Sequence, residues 1–191
     1  MTITRKVVKF LCSVQQRERF NIALETHYAR LYRLAFAWTH QSCLAQDLVQ
    51  ETMLKALENQ GDLDNFDQFG AWLSKIMHNK FVDNLRYNRR WEWADEAEVD
   101  DCLSEACTES KLIQSQTEDA LHNAMSKLSF EHRQAISLSD IQGFSYQEIS
   151  DITSTPIGTV MSRISRGREK LRFLLDKSYS EQRKVVPLRG R

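Results

Sequence analysis

Basic and small polar side chains recur along one side of the segment that follows Pro156. If residues 157–174 form a helix, one narrow stripe of it is apolar, and Gly167 inside that stripe would allow a neighbouring helix to approach closely. The stripe contains Ile157, Val160, Ile164, Leu171 and Leu174. The opposite side carries Thr159, Met161, Ser162, Ser165, Arg166 and Glu169, and its flanks carry Arg163, Arg168, Lys170 and Arg172. Hydroxyl and guanidinium groups suit base edges in the major groove of DNA, and flanking cations suit phosphates.

The residues before this candidate recognition helix predict a shorter helix and a tight turn. Ser145 is a suitable N-cap for a helix that ends near Ile152, and Thr153 to Thr155 would form the turn. Thr155 would then cap the longer helix, and Pro156 suits its first position, where a missing N–H costs nothing. Two helices joined in this way predict a helix-turn-helix, although an amphipathic hairpin with a solvated basic side has the same spacing.

Three further helices are predicted nearer the N-terminus, over about residues 16–39, 44–58 and 67–90, because apolar residues recur there at helical spacing. The predicted buried residues of the first are Phe20, Leu24, Tyr28, Leu31, Leu34, Ala35 and Trp38. Those of the second are Ala45, Leu48, Val49, Thr52 and Ala56, which leaves Asp47, Gln50, Glu51 and Lys55 outward. Those of the third are Phe69, Trp72, Leu73, Ile76, Met77, Phe81 and Leu85.

The third helix has a second pattern on its other side, a polar stripe that recurs at three- and four-residue steps. It contains Lys75, His78, Asn79, Val82, Arg86, Arg89 and Arg90. A short polar loop, residues 59–66, precedes this helix, and Gly61 allows it unusual backbone dihedrals. Taken alone, the loop is an ordinary connector.

Histidines and cysteines are too dispersed to indicate an active site or a metal centre. The histidines are His27, His40, His78, His122 and His132, and no serine or cysteine stands beside one in a nucleophile motif. The cysteines, Cys12, Cys43, Cys102 and Cys107, form no CxxC pair and lack zinc-site spacing, so we expect reduced thiols and no metal or cofactor. A redox role for Cys102 and Cys107 stays open.

The net charge of zero conceals an uneven distribution of charge along 191 residues. Residues 1–93 hold 13 Lys and Arg against 10 Asp and Glu, residues 94–119 hold 1 against 9, and residues 120–191 hold 12 against 7. The middle segment is acidic and poor in aromatic residues, which is typical of a flexible linker. It serves either as a spacer or as a nucleic-acid mimic that occupies or shields basic surfaces.

The resulting prediction is an all-α chain with two small domains joined by a flexible acidic linker. The domains cover residues 1–93 and 120–177, the linker covers 94–119, and a basic, disordered tail covers 178–191. The apolar run of residues 7–14 is short and interrupted by Lys9, so neither a signal peptide nor a membrane span is predicted. We therefore expect a cytoplasmic protein without membrane insertion.

Four segments of the chain carry a recognisable pattern: AQDLVQETMLKAL (45–57), NFDQFGAWLSKIMHNKFVDNLR (65–86), LSFEHRQAISLSDIQGFSYQEIS (128–150) and TPIGTVMSRISRGREKL (155–171). In this order they resemble the two-domain, extracytoplasmic-function (ECF) type of sigma factor of bacterial RNA polymerase. The resemblance spans about residues 17–175. Such a factor is not an enzyme: it directs core polymerase to promoters, here of a stress or envelope regulon, and is usually restrained by an anti-sigma factor.

The resemblance implies three sites. The first domain, sigma region 2, would dock on the clamp helices of the largest polymerase subunit through Asp47, Gln50 and Glu51. Its loop and third helix would hold the unpaired minus-10 strand through Gly61, Asp64, Asn65, Phe66, Lys75, Asn79, Arg86, Arg89 and Arg90. The second domain, sigma region 4, would contact the polymerase flap and read the minus-35 duplex through Thr159, Met161, Ser162, Arg163, Ser165, Arg166, Arg168 and Arg172.

Some features of this chain qualify the implied sites. Met161 departs from the family, which commonly has lysine or arginine there, and Arg163 could instead form an intramolecular ion pair with Glu148. A stand-alone helix-turn-helix regulator is the alternative, but it leaves the polar stripe of the first domain unused. A recombinase would need clustered carboxylates for metal ions, and Asp62, Asp64 and Asp67 lack partners for that role.

Overall fold

The computed structural model describes residues 2–63, 65–92 and 116–183, and the side chains of residues 15, 17–63, 65–86 and 120–178 within them. These ranges contain seven α-helices and no β-strand, which confirms the all-α prediction. The helices are α1 (Thr2–Thr39), α2 (Ser42–Glu58), α3 (Phe69–Glu92), α4 (Gln116–Ser126), α5 (Phe130–Ile136), α6 (Tyr146–Thr153) and α7 (Ile157–Arg183). Two 3₁₀ turns, Gln60–Asp62 and Phe66–Gln68, lie between α2 and α3, and a π-helical segment, Ser137–Ile141, follows α5.

Helices α1 to α3 pack through the apolar faces that their spacing predicts. All five residues expected to be buried in α2 are buried, and the hydroxyl of Thr52 donates to the carbonyl of Leu48 at 2.7 Å, so no polar group is left unpaired there. Phe69, Leu73 and Met77 of α3 are also buried. Tyr28 and Leu85 were predicted to be buried, but they are 42% and 36% exposed, so the buried faces of α1 and α3 are narrower than the apolar pattern predicts.

Helices α6 and α7 form the predicted helix-turn-helix. The Ser145 hydroxyl accepts a bond from the Glu148 N–H, and the Glu148 carboxylate accepts one from the Ser145 N–H, which caps α6 at its start. Ser154 ends α6 in the left-handed region, with φ of 49°. The prediction for Thr155 is wrong: α7 begins at Ile157, and the Thr155 hydroxyl donates to the Thr153 carbonyl at 3.1 Å instead of capping α7.

A close helix–helix contact occurs at Gly167, as predicted. A Cβ atom at this position would lie 2.8 Å from Cδ1 of Ile136 in α5 and 3.2 Å from Cβ of His132. Distances this short would force neighbouring atoms to move, so glycine allows α5 and α7 to pack together. Leu171 and Leu174 continue this contact against a small buried cluster of Met125, Leu128 and Ile136.

The two groups of helices, α1–α3 and α4–α7, pack against each other, and we call this packing the closed arrangement. One continuous core joins Leu31 and Leu73 of the first group to Leu138 and Ile149 of the second. The aromatic rings of Phe81 and Phe130 meet across the boundary, with centroids 4.8 Å apart. The sequence predicts only the linker as a connection, so these direct contacts are additional.

The observed helices shift several predicted boundaries. Helix α1 begins at Thr2, well before residue 16, and α4 begins at Gln116, inside the segment predicted as linker. Helix α7 continues to Arg183, past residue 177 and into the predicted tail. Cys102 and Cys107, whose redox role was left open, lie outside the described residues.

Candidate polymerase and nucleic-acid interfaces

The side of α7 predicted to face bases is open to solvent. Ser162, Ser165, Arg166 and Glu169 are exposed, Thr159 is half-buried, and Met161 is 51% exposed. The apolar stripe behind them is anchored, because Val160 and Ile164 are almost fully buried. Ile157 was predicted to belong to this stripe, but it is exposed at the first turn of the helix. A buried apolar stripe on one side and exposed polar groups on the other give this helix the arrangement of a groove-binding element.

Arg168, predicted as a phosphate contact, already has partners within the chain. Its Nε donates to a carboxylate oxygen of Asp140 at 3.1 Å and its Nη2 donates to the hydroxyl of Ser139 at 3.2 Å, both in the π-helical segment. The hydrogen bonds from Arg168 hold the pKa of Asp140 below its usual value. Arg172, one turn further along α7, is exposed. The structure therefore favours Arg172 over Arg168 as a free cation on this flank.

Arg163 does not form the ion pair with Glu148 that the sequence suggested. Its Nη1 lies 3.5 Å from the Thr155 hydroxyl, whereas the Glu148 carboxylate is used in the capping bonds with Ser145. The expectation of a Glu148–Arg163 brace is thus wrong: one oxygen of the Glu148 carboxylate accepts the two bonds from Ser145, and Arg163 is directed to Thr155 instead. Arg163 is half-buried at the turn of the motif and remains available on one edge of α7.

The loop before α3 is held at its two ends. At the first end, the Asp62 N–H donates to the Asn59 carbonyl at 2.9 Å. At the second end, the side-chain oxygen of Asn65 accepts from the Asp67 N–H at 2.9 Å, and the ring of Phe66 stacks in parallel on that of Phe69. Gly61 is exposed within the first end, between Asn59 and Asp62, and Asp64 lies outside the described residues.

The polar stripe of α3 is exposed in part. Lys75, Asn79 and Arg86 are exposed, and Arg86 forms a solvent-screened ion pair with Asp83 at 3.5 Å. Arg89 and Arg90 continue α3, but their side chains lie outside the described residues. His78 does not join the open stripe, because Nε2 of Gln134 in α5 donates to its Nδ1 at 2.6 Å. Burial in this contact lowers the pKa of His78.

The outward face of α2 borders a groove of about 470 Å³ between the two groups of helices. Asp47 and Gln50 are exposed and Glu51 is half-buried, and the two carboxylates line the groove. Its apolar lining residues are Trp38, Leu44, Leu48, Phe81, Leu85 and Phe130. The indole N–H of Trp38 and the Nε–H of Arg133, both lining residues, are buried and have no hydrogen-bond partner among the residues that the structure describes. The face predicted to dock on the polymerase thus combines acidic groups with an apolar floor.

A pair of histidines joins α4 to the end of α1. Nδ1 of His40 and Nε2 of His122 lie 3.0 Å apart, so one ring donates to the other, and His122 also stacks on Phe36. His40 has a left-handed backbone, with φ of 56°. Burial, followed by the nearby charges of Arg133 and His122, lowers the pKa of His40 to about 4. This contact, like those of His78 and Gln134, could not be foreseen from dispersed histidines in the sequence.

Within the described residues, no three histidine, cysteine or acidic side chains come together as a set of metal ligands. Nor does any helix of those ranges have the length and apolar character needed to cross a membrane.

Two sequence families match the chain in the order in which its helices occur. Sigma-70 region 2 matches residues 23–91, and Sigma-70 region 4 matches residues 118–171. The first match covers the residues predicted to dock on the polymerase and to bind the minus-10 strand, and the second covers the helix-turn-helix.

Relatives of known class agree with these matches. The chain is 35% identical over 161 residues to the ECF RNA polymerase sigma factor SigE of Mycolicibacterium smegmatis, which covers 81% of this chain and 61% of the relative. It is also 35% identical over 138 residues to the ECF RNA polymerase sigma factor EcfG of Rhodopseudomonas palustris, covering 69% and 71%. In the first case the chain spans less than two thirds of the relative's length.

Two solved structures have a similar fold. The sigma factor RpoE of Bartonella quintana, in complex with the anti-sigma factor NepR, gives a TM-score of 0.64 at 28% identity, over 84% of this chain and 96% of that one. CnrH, in complex with the cytosolic domain of CnrY, gives 0.58 at 25% identity, over 87% and 96%. The chain belongs to the ECF sigma factors, a family of promoter-directing transcription initiation factors.

Proposed function

We propose that this chain binds core RNA polymerase through α2, reads the minus-10 element with the loop and α3, and reads the minus-35 element with α7. The observation that carries the proposal is the simultaneous exposure of three surfaces on the two matched regions. They are the acidic face of α2, the Lys75–Asn79–Arg86 stripe of α3 and the Ser162–Ser165–Arg166 face of α7. Their chemistry suits, in turn, a basic protein surface, a single strand and a duplex.

The closed arrangement supports a requirement for the polymerase. Elements centred at minus-10 and minus-35 are separated by about 25 base pairs, or roughly 85 Å of duplex at 3.4 Å per base pair. Helix α6 packs directly on α3, and Ile164 of α7 shares a core with Leu73 of α3. Because both readers lie within one core, the two groups must separate before they reach both elements. Binding to the polymerase would supply the free energy for that separation.

We also propose that an anti-sigma factor restrains the chain. The similar structures of RpoE and CnrH were each solved with a protein partner, NepR being an anti-sigma factor. The groove beside Asp47 and Glu51 offers such a partner an apolar floor. Because core polymerase and promoter DNA are cytoplasmic in bacteria, we expect the chain to act there. A stress or envelope regulon remains part of the proposal.

Promoter-dependent transcription with purified core polymerase tests the proposed function. Transcript starts mapped after overexpression of the chain identify promoter fragments, and those fragments become templates for purified components. We expect transcripts that begin at the mapped starts only when both the chain and the core polymerase are present. Accurate initiation that needs a second, known sigma factor in addition would show that the chain is a regulator instead.

A further inference from the structure

Arg19 of α1 lies against the loop that precedes α3, although 46 residues separate it from Asn65 in the sequence. Its guanidinium carbon is 4.3 Å from the centroid of the Phe66 ring. The ring of Phe66 also stacks on that of Phe69, with centroids 5.8 Å apart and planes within 2° of parallel. We call these three residues the Arg19 stack. Phe66 therefore contacts both a cation and an aromatic ring.

The inner member of the Arg19 stack is fixed by its surroundings. Phe69 is 2% exposed and meets the ring of Phe20 edge-on, with centroids 5.3 Å apart, as well as that of Trp72 at 5.9 Å. Arg19, the outer member, is exposed and forms no hydrogen bond or ion pair with any other residue that the structure describes. The contact with Phe66 is thus the interaction that orders the Arg19 head group among those residues.

The position of Phe66 matters because it closes the loop. Asn65, directly before it, caps the 3₁₀ turn through the Asp67 N–H, and the exposed residues Gly61 and Asp62 lie at the other end of the loop. A rotation of the Phe66 ring away from Phe69 would uncover apolar surface and move the end of the loop. A guanidinium is suited to prevent this, since it is planar, always charged and able to stack on a ring face.

We propose that Arg19 is a positioning residue of the minus-10 site, which holds Phe66 against Phe69 so that the loop keeps the shape that receives an unpaired base. This inference rests on the proposed function of the loop. In this proposal Arg19 acts on the base only through the position of the Phe66 ring. Its removal should therefore change which bases are preferred, whereas the loss of an ordinary surface cation should weaken binding to every sequence alike.

The test compares Arg19→Gln with Arg17→Gln, which removes an equal charge from an exposed side chain on the same helix. Each variant is assembled with core polymerase from the bacterium that encodes the chain. The probe is a fork-junction DNA whose single-stranded minus-10 sequence is the one most enriched from a randomised pool by the wild-type holoenzyme. Four versions of the probe vary the base at each minus-10 position. Binding is measured at several salt concentrations.

We expect Arg19→Gln to reduce the preference at one minus-10 position by about two- to fivefold, which matches the loss of an exposed cation–π contact. Arg17→Gln should leave every preference unchanged. The preference lost in the double variant Arg19→Gln/Phe66→Leu should be no larger than in Phe66→Leu alone, because Arg19 acts through the ring. If Arg19→Gln lowers the Tm, Arg19→Lys replaces it, with a smaller loss of preference expected.

Equal weakening for all four bases in Arg19→Gln, as in Arg17→Gln, would overturn the proposal and make Arg19 a phosphate contact. Additive losses in the double variant would also overturn it. Where Arg19→Lys is used because Arg19→Gln is destabilised, an unchanged preference in Arg19→Lys would overturn it too. Failure of the proposed function has a different appearance. In that case the wild-type holoenzyme itself enriches no minus-10 sequence.

Discussion

Arg30 and Gln142, which are 112 residues apart in the sequence, exchange two hydrogen bonds across the closed arrangement. Nη2 of Arg30 donates to the backbone carbonyl of Gln142 at 2.8 Å, and Nε2 of Gln142 donates to the backbone carbonyl of Arg30 at 2.9 Å. Gln142 is buried, so its amide has little access to water in place of this bond. The pair therefore ties α1 to the segment before the helix-turn-helix.

Replacing Gln142 by alanine should loosen the closed arrangement without unfolding either group of helices. It removes one of the two bonds, and we expect a loss of about 1 kcal/mol, or roughly a fivefold shift toward open forms. Hydrogen exchange of the amides in α6 measures the shift, which should appear as faster exchange. Gln147→Ala is the control, because Gln147 is exposed and pairs with Asp151 on its own helix. Equal exchange in both variants would contradict a bridging role for Gln142.

The histidine pair should make the closed arrangement sensitive to acid. In the folded chain the pKa of His40 is about 4, and it is 6.5 in the unfolded chain, so the unfolded chain binds more protons between these values. Stability is therefore complete above pH 6.5 and decreases as the pH falls from 6.5 toward 4. The charges that oppose protonation are Arg133 of α5 and His122 of α4, while Asp47 and Glu51 border the same groove as Arg133.

His40→Asn isolates this effect, because asparagine tolerates the left-handed backbone at this position and does not titrate. Urea unfolding of both chains at pH 7.5, 6.5, 5.5 and about 4.5 gives the dependence on pH. We expect the wild-type chain to lose more stability than His40→Asn over this range. Parallel losses in the two chains would mean that other groups cause the acid sensitivity.

Charge reversal on the docking face should abolish binding to core polymerase and preserve the fold. Asp47 is exposed and Glu51 is half-buried, and neither has a hydrogen bond or ion pair with another described residue. The variant Asp47→Lys/Glu51→Lys is compared with Glu25→Lys/Asp176→Lys, which reverses two exposed charges elsewhere. Circular dichroism and a pull-down on core polymerase are the measurements. Retained binding in the first variant would remove the docking role of α2, and loss of helix content would make the two residues structural.

Arg166 and Arg172 should differ in what they contribute to minus-35 binding. Arg166 lies near the centre of the exposed side of α7, so Arg166→Ala should cost roughly 1–3 kcal/mol and relax the preference at one or two base pairs. Arg172 lies toward the edge, so Arg172→Ala should weaken all sequences alike and reduce the salt slope by about one unit. Holoenzyme binding to a panel of minus-35 variants at several salt concentrations separates them. Uniform weakening by Arg166→Ala would assign Arg166 to phosphate and leave specificity to Ser162, Ser165 and DNA shape.

Periodicity predicts the helices well because it records which side of each helix is apolar. The buried residues of α2 and the close approach at Gly167 were both predicted from local spacing alone. Spacing does not reveal which helices meet, and here it missed the contact between the two groups. His78 shows the consequence: its position places it on the polar stripe, while a partner 56 residues away, Gln134, holds it in the interface.

For the candidate site, too, the sequence predicted which residues are exposed but not which of them have partners within the chain. Exposed positions on α2, α3 and α7 follow from the apolar pattern, so Asp47, Lys75 and Ser162 were located correctly on open surfaces. Competing partners within the chain do not follow from that pattern. Arg168 is bound by Asp140, 28 residues earlier, and Arg19 stacks on Phe66 from another helix. Such pairs depend on tertiary packing, which a single sequence does not display.

Binding of one promoter fragment by the chain alone and by the chain with core polymerase tests the central claim most directly. The fragment is the one identified by mapped transcript starts, and binding is measured at physiological salt. Because the closed arrangement keeps the minus-10 and minus-35 readers within one core, we expect the isolated chain to bind no better than nonspecifically, with Kd of ~10⁻⁶ M or weaker. The holoenzyme should bind the same fragment tightly and initiate at the mapped start. Specific binding by the isolated chain at ~10⁻⁸ M or better, unchanged by core polymerase, would contradict the account and identify a stand-alone regulator.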